Sequence, residues 1–99
     1  MKVELFNRYA EDVQERFGLS KRQMFGKTMH QEYVDARQML YLLCDRNNIR
    51  ISYIKRYMNK EGKSVHHSTI IHGIKKAKKV MKEDEDYRSV VSSIEDNAV

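Results

Sequence analysis

A cluster of small polar and imidazole side chains at residues 65–69 is the part of this sequence best suited to chemistry. The cluster consists of Val65, His66, His67, Ser68 and Thr69. Serine and threonine hydroxyls donate and accept hydrogen bonds, and a threonine methyl group can pack against thymine. In the first turn of a helix, such side chains are suited to reading base edges in the major groove of DNA. The alternative is that Ser68 and Thr69 only satisfy the amides of that first turn.

A catalytic or metal site has little support in the same region. His67 and His72 are five positions apart, which turns them away from a common helical face, and no carboxylate lies between them. We find neither a nucleophile beside a base nor a carboxylate pair arranged for acid–base chemistry. The single Cys44 excludes an internal disulfide and is expected to be a small buried thiol. The sequence therefore predicts no enzyme, no metal site and no cofactor.

Positive charge is concentrated in the same part of the chain. Residues 1–50 contain 9 basic residues (Lys or Arg) and 7 acidic residues (Asp or Glu). Residues 51–82 contain 9 basic and 1 acidic residue, and residues 83–99 contain 1 basic and 6 acidic residues. The segments thus carry +2, +8 and −5, and the 99-residue chain carries +5. A basic block of this kind is either a solvated face or a surface for a polyanion. Double-stranded DNA is the partner we expect, and the candidate phosphate contacts are Lys75, Lys76, Lys79, Lys55, Arg56, Lys63 and Lys27.

The spacing of apolar residues predicts an all-α domain. There is no proline, and four glycines separate long stretches of helix formers. Ser20 and Gln23 have the spacing of a capping box, and Ser64 is the candidate N-cap of the helix that carries the polar cluster. Apolar residues recur at helical spacing in residues 3–17, 31–46, 51–58, 64–82 and 87–94. We therefore expect a compact monomer of five or six helices, a single domain over residues 1–99, with a tail that frays from about residue 95.

Membrane insertion and secretion are not expected. No stretch approaches the roughly 18 apolar residues that cross a bilayer, and the first residues lack the apolar core of a signal peptide. Charged residues make up 33% of the chain, and its mean hydropathy is −0.76. These features predict a cytoplasmic protein. If it binds DNA, we expect it to be associated with the nucleoid.

A short helix, a turn and a second helix that begins with the polar cluster have the layout of a helix-turn-helix. Residues 67–73 resemble the recognition-helix signature of the C-terminal DNA-binding domain of the bacterial replication initiator DnaA. Ala36, Arg37, Gln38 and Met39 resemble that family's Arg-Gln-Met stretch on the preceding long helix. The resemblance spans about residues 13–95, with both segments in the family's order. It implies a fold similar to DnaA domain IV, with the helix that begins near His66 in the major groove of duplex DNA.

The resemblance also implies roles for individual residues. His67, Ser68 and Thr69 match the family's residues that face bases or phosphates, and His72 lies one turn further along the helix. His66 replaces the family's aspartate, so a possible donor stands where the family has an acceptor for cytosine, and a different base should be read.

Three further features depart from the family. Met29 stands where the family carries an arginine that enters the minor groove, which leaves Lys27 or His30 as substitutes. Asp45 stands where relatives often have a basic residue, and the turn before His66 is longer than the family's glycine-rich turn. Binding to the family's usual origin sequence is therefore not expected.

The chain contains no Gly-x-x-x-x-Gly-Lys-Ser/Thr loop, so it lacks the family's ATPase module. Together, these features predict a sequence-specific DNA-binding protein that regulates replication or transcription without ATPase activity, as in a phage or mobile element. The alternative is a protein-interaction decoy that inhibits host replication proteins, with its basic block facing an acidic partner.

Overall fold

Six α-helices account for most of the computed structural model, which describes residues 2–98. No strand occurs in that range. The predicted all-α class with five or six helices is therefore confirmed. The helices are α1 (Lys2–Phe17), α2 (Lys21–Phe25), α3 (Gln31–Arg46), α4 (Ile51–Lys60), α5 (His67–Glu83) and α6 (Glu85–Asn97).

Local signals set the ends of the first helices. Gly18 has a φ of +65°, and the amide of Leu19 donates to the carbonyl of Gln14 at 2.8 Å, which closes α1 with a Schellman-type bond. The predicted capping box at α2 is confirmed. The Ser20 hydroxyl accepts from the Gln23 amide at 3.1 Å, and the Gln23 side chain accepts from the Ser20 amide at 2.8 Å.

The start of α5 differs from the prediction. The N-cap is His66, whose Nδ1 accepts from the backbone amide of Ser68, rather than Ser64. Val65 is only 5% exposed and precedes the cap, while Ile70 lies four positions after the cap and is fully buried. Apolar residues at these two positions form a hydrophobic staple, which fixes how the chain enters a helix. Burial of Val65 therefore moves the cap from Ser64 to His66.

Helix α6 extends past residue 95, from which the sequence predicts a frayed tail. Helix α6 continues through Asn97, whose carbonyl accepts from Arg8 Nη2 at 2.7 Å. Glu95 accepts hydrogen bonds from Arg46 Nε at 2.9 Å and Nη2 at 3.1 Å, and a third from the Asn47 side chain at 2.9 Å. These contacts hold the last helix against the end of α3.

Replacing Glu95 with Gln is expected to reduce the free energy of unfolding by about 0.5–1 kcal/mol at pH 7. Burial raises the pKa of Glu95, but the hydrogen bonds from Arg46 and Asn47 and the Arg46 charge outweigh it, so the pKa is lowered from 4.5. A lowered folded-state pKa contributes stability above pH 4.5 that is lost as pH falls through the folded value.

Urea unfolding of both proteins across pH 2–7 measures this linkage. The difference between wild type and Glu95→Gln should shrink steadily below about pH 4.5, as the carboxylate becomes protonated first in the unfolded state and then in the folded state. A difference that stays constant down to pH 2 would contradict the assignment of the stability to the carboxylate.

Helix α3 is the centre of the core and packs against each of the other five helices. The residues predicted to be most deeply buried, Leu40, Leu43, Ile54, Ile70 and Ile74, all belong to the core cluster, as does Cys44. Helix α4, the turn at residues 61–66 and helix α5 follow one another, and α4 packs on α5. This is the expected layout of a short helix, a turn and a longer second helix.

Helices α3 and α5 approach each other closely at Gly73, and this contact positions α5. A Cβ atom at Gly73 would lie 3.0 Å from the ring of Tyr41 and 3.2 Å from Cγ of Gln38. A side chain at this position would require Tyr41 and Gln38 to shift by a few tenths of an ångström. Glycine at this point of α5 therefore seats the helix on α3, and its opposite face remains exposed.

Candidate nucleic-acid interface

The first turn of α5 is organised by His66. Its Nδ1 accepts from the Ser68 amide at 3.1 Å and lies 2.7 Å from the Ser68 hydroxyl oxygen. Because Nδ1 acts as an acceptor, the neutral ring carries its proton on Nε2, which leaves a donor at the exposed edge. The cap is thus supplied by His66, and within residues 2–98 the Thr69 side chain makes no hydrogen bond.

The exposed residues of α5 divide into two flanks and a central stripe. At about 100° per residue, Ser68, His72, Lys75 and Lys79 lie on one stripe directed away from the core. Thr69 and Lys76 flank the stripe on the side of α3. His67 lies about 160° from Thr69, on the other flank, where its ring stacks on that of His66 at 6.0 Å.

An open groove of about 440 Å³ separates α5 from the N-terminal half of α3. Among the described residues, no aspartate or glutamate lines it. Lys63 in the turn is half-buried, and burial together with the charge of Arg37 lowers its pKa. Burial raises the pKa of Tyr41, at the α3 side, to about 12. The groove brings together five of the predicted site residues: Lys63, His66, Thr69, His72 and Lys76.

Arg37 organises the chain on the other side of this groove. It is only 3% exposed, and burial lowers its pKa. Its guanidinium donates to four backbone carbonyls, which ties residues 23–28 to α3. The acceptors are Met24 at 2.6 Å and Gln23, Gly26 and Thr28 at 3.1 Å each. In the sequence, Arg37 stands out only as part of the Arg-Gln-Met stretch, and nothing local indicates this role.

The loop held by Arg37 displays the residues at the family's minor-groove position. Met29 is 69% exposed at the rim of the groove, with its Sδ 4.0 Å from Arg37 Nη1. Lys27 is exposed and makes no ion pair within residues 2–98. His30 packs its ring against Tyr33 at 5.3 Å, directly before α3. Neither Lys27 nor His30 lines the groove.

The two candidates on α4 lie apart from the groove. Lys55 and Arg56 are exposed, and neither lines the space between α3 and α5. The Arg56 guanidinium lies over the ring of Tyr53, 5.3 Å from its centroid. This pairing of a cation and an aromatic ring was not anticipated, although the spacing of three between the residues was visible in the sequence.

Three other features bear on function across the described residues: metal-binding clusters, the cysteine thiol and membrane-spanning helices. Among residues 2–98, no group of three or more His, Cys, Asp or Glu side chains could hold a metal ion. Burial raises the pKa of the Cys44 thiol, which disfavours the reactive thiolate. Over the same range, none of the helices has the length and apolar character needed to cross a membrane.

No protein-family model matches the chain, and comparisons with curated proteins and with solved structures find no match. The likeness to the DnaA C-terminal domain therefore rests on the two sequence segments described above.

Proposed function

We propose that this protein binds duplex DNA in a sequence-specific manner, with α5 in the major groove. It would act at the nucleoid as a small regulator of replication or transcription, without ATPase activity. The observation that carries the proposal is the outward stripe of α5, where hydroxyl and imidazole groups at the N-terminus are followed by unpaired lysines. Within residues 2–98, Lys75 and Lys79 have no carboxylate partner.

The dimensions of α5 suit this role. From Ser68 to Lys79 the stripe is about 16 Å long, and a helix about 10–12 Å across fits a major groove about 12 Å wide. The N-terminal residues Ser68, Thr69 and His72 would then read base edges. Lys75 and Lys79 follow further along and would contact the phosphates at the groove's edge.

The electrostatics of the groove beside α5 support the same orientation. Its lining combines Lys63 and Lys76 with the N-terminus of α5, whose helix dipole favours anions. The acidic Asp45 lies beyond this groove and is paired with Lys78 at 3.3 Å. A phosphate backbone would thus meet positive charge on α5, on the turn before it and, through Lys27, on the loop that Arg37 holds.

Selection of bound sequences from a random duplex pool tests the proposal. We expect a defined sequence motif to be enriched. Binding to that motif should survive competitor DNA and weaken with salt, as phosphate contacts require. Weak binding to all duplexes alike, erased by moderate salt, would contradict specific recognition and favour the decoy that binds replication proteins.

A further inference from the structure

The outer face of α4 alternates cations and aromatic rings. Arg50, Tyr53, Arg56, Tyr57 and Lys60 recur at three- and four-residue spacing and form one stripe, which we call the basic–aromatic stripe. The rings of Tyr53 and Tyr57 stack with centroids 6.1 Å apart and planes 18° apart. Tyr57 in turn contacts the buried ring of Phe6 at 5.3 Å. The exposed tyrosine is therefore backed by a row of rings that begins in the core.

A broad open groove of about 870 Å³ lies beside this stripe, between α4, the N-terminus of α1 and the chain before α4. Tyr53 is 36% exposed on one wall, and Lys2 is anchored on the other by donating to the Asn48 carbonyl at 2.9 Å. Asp45 is the one acidic residue among the described residues that line the groove. It forms an ion pair with Lys78, with 3.3 Å between Lys78 Nζ and Asp45 Oδ2. The groove is thus positively charged.

The cations of the stripe are available for a ligand. Among residues 2–98, Arg50, Arg56 and Lys60 form no ion pair with a carboxylate and no hydrogen bond through their side chains. Arg56 covers the Tyr53 ring instead, an arrangement that keeps a guanidinium and a π-face together. The stripe therefore offers positive charge at regular intervals around an exposed aromatic ring.

This surface is separate from the interface of α5. The two grooves share no lining residue among the described positions. Asp45 lines one groove, and the nearest residue of α3 that lines the other is Tyr41, about one helical turn away. The two grooves are therefore neighbouring but distinct surfaces.

We propose that the basic–aromatic stripe binds single-stranded nucleic acid, with an unpaired base stacked on Tyr53 in place of the Arg56 guanidinium and the phosphates next to Arg50, Arg56 and Lys60. Surfaces that bind single strands combine a positively charged groove with aromatic rings on which bases stack. A duplex gains little from such a ring because its bases are already stacked on one another. Regularly spaced cations match the repeating phosphates of a strand better than the irregular charges of a protein surface.

This activity is independent of duplex binding by α5. With both surfaces occupied, the protein would hold a duplex with one face and an unpaired strand with the other, as at the edge of a melted region. Such a combination places the protein where single and double strands meet.

The test measures binding of a fluorescent oligo(dT) strand by anisotropy. Tyr53→Ala should weaken binding roughly 5- to 150-fold through loss of one stacked base, and Tyr53→Phe should retain it. Arg56→Ala should weaken binding and lower its salt dependence. Arg22→Ala, which removes an exposed arginine of α2, is the charge control and should leave oligo(dT) binding unchanged.

Thermal unfolding of each variant establishes that the fold is intact, and a random duplex measured in parallel separates this site from α5. Wild-type oligo(dT) affinity in Tyr53→Ala, or equal losses in the Ala and Phe variants, would overturn the proposal. Displacement of oligo(dT) by a poly-glutamate peptide of the same net charge would also overturn the proposal, because the site would then favour an acidic protein.

Discussion

Replacing Arg37 with Met is expected to lower the free energy of unfolding by about 2–4 kcal/mol. Methionine fills a similar volume but donates no hydrogen bond, so four backbone carbonyls lose the guanidinium that satisfies them. Two of these carbonyls, those of Gly26 and Thr28, lie in the loop between α2 and α3. We therefore expect this loop to detach from α3 as well.

Arg37→Lys and Arg22→Met are the matched variants for this prediction. Lysine keeps the charge but cannot reach all four carbonyls from a single nitrogen. The free energy of unfolding of Arg37→Lys should therefore lie between those of Arg37→Met and wild type. Arg22 is an exposed arginine on the adjacent helix, and its replacement should cost less than about 0.5 kcal/mol. Urea unfolding followed by circular dichroism gives all three values. An Arg37→Met protein as stable as Arg22→Met would show that the carbonyls are satisfied by other means.

Two kinds of substitution on α5 should affect DNA binding differently. Thr69→Val and His72→Ala remove groups that we propose face base edges, so each should cost roughly 1–3 kcal/mol on the selected site and little on random duplex. Lys75→Ala and Lys79→Ala remove the proposed phosphate contacts, so each should weaken binding to both duplexes and reduce the log–log salt slope by about one.

Lys78→Ala is the control within the same helix. Its side chain is already paired with Asp45, and it lies on the flank opposite Thr69, so its loss should leave the preference between duplexes unchanged. Salt titrations of each variant on the selected and the random duplex make the comparison. Full retention of the preference by Thr69→Val and His72→Ala would mean that another element reads the bases.

Most of the helical framework was predictable because its signals are local. The periodicity of apolar residues located α3 from Gln31 to Arg46, and the Ser20–Gln23 capping box located α2. Both signals depend on residues within one or two turns of each other, so the sequence alone contains the whole interaction. The exposed stripe of α5 was predictable for the same reason. The spacing of its apolar residues identifies the buried face of the helix, and the exposed stripe lies on the opposite face.

The features that the sequence missed depend on partners far along the chain. The contact between Glu95 and Arg46 was not predicted because the two residues are 49 positions apart, and the start of α5 was misplaced because Val65 is buried by other helices. Arg37 became an organising residue only when the folded loop brought its carbonyls around the guanidinium. A row of side chains on α4 likewise became a groove only when the N-terminus of α1 packed beside it. Sequence periodicity determines which face of a helix is polar, but only tertiary packing decides what that face stands next to.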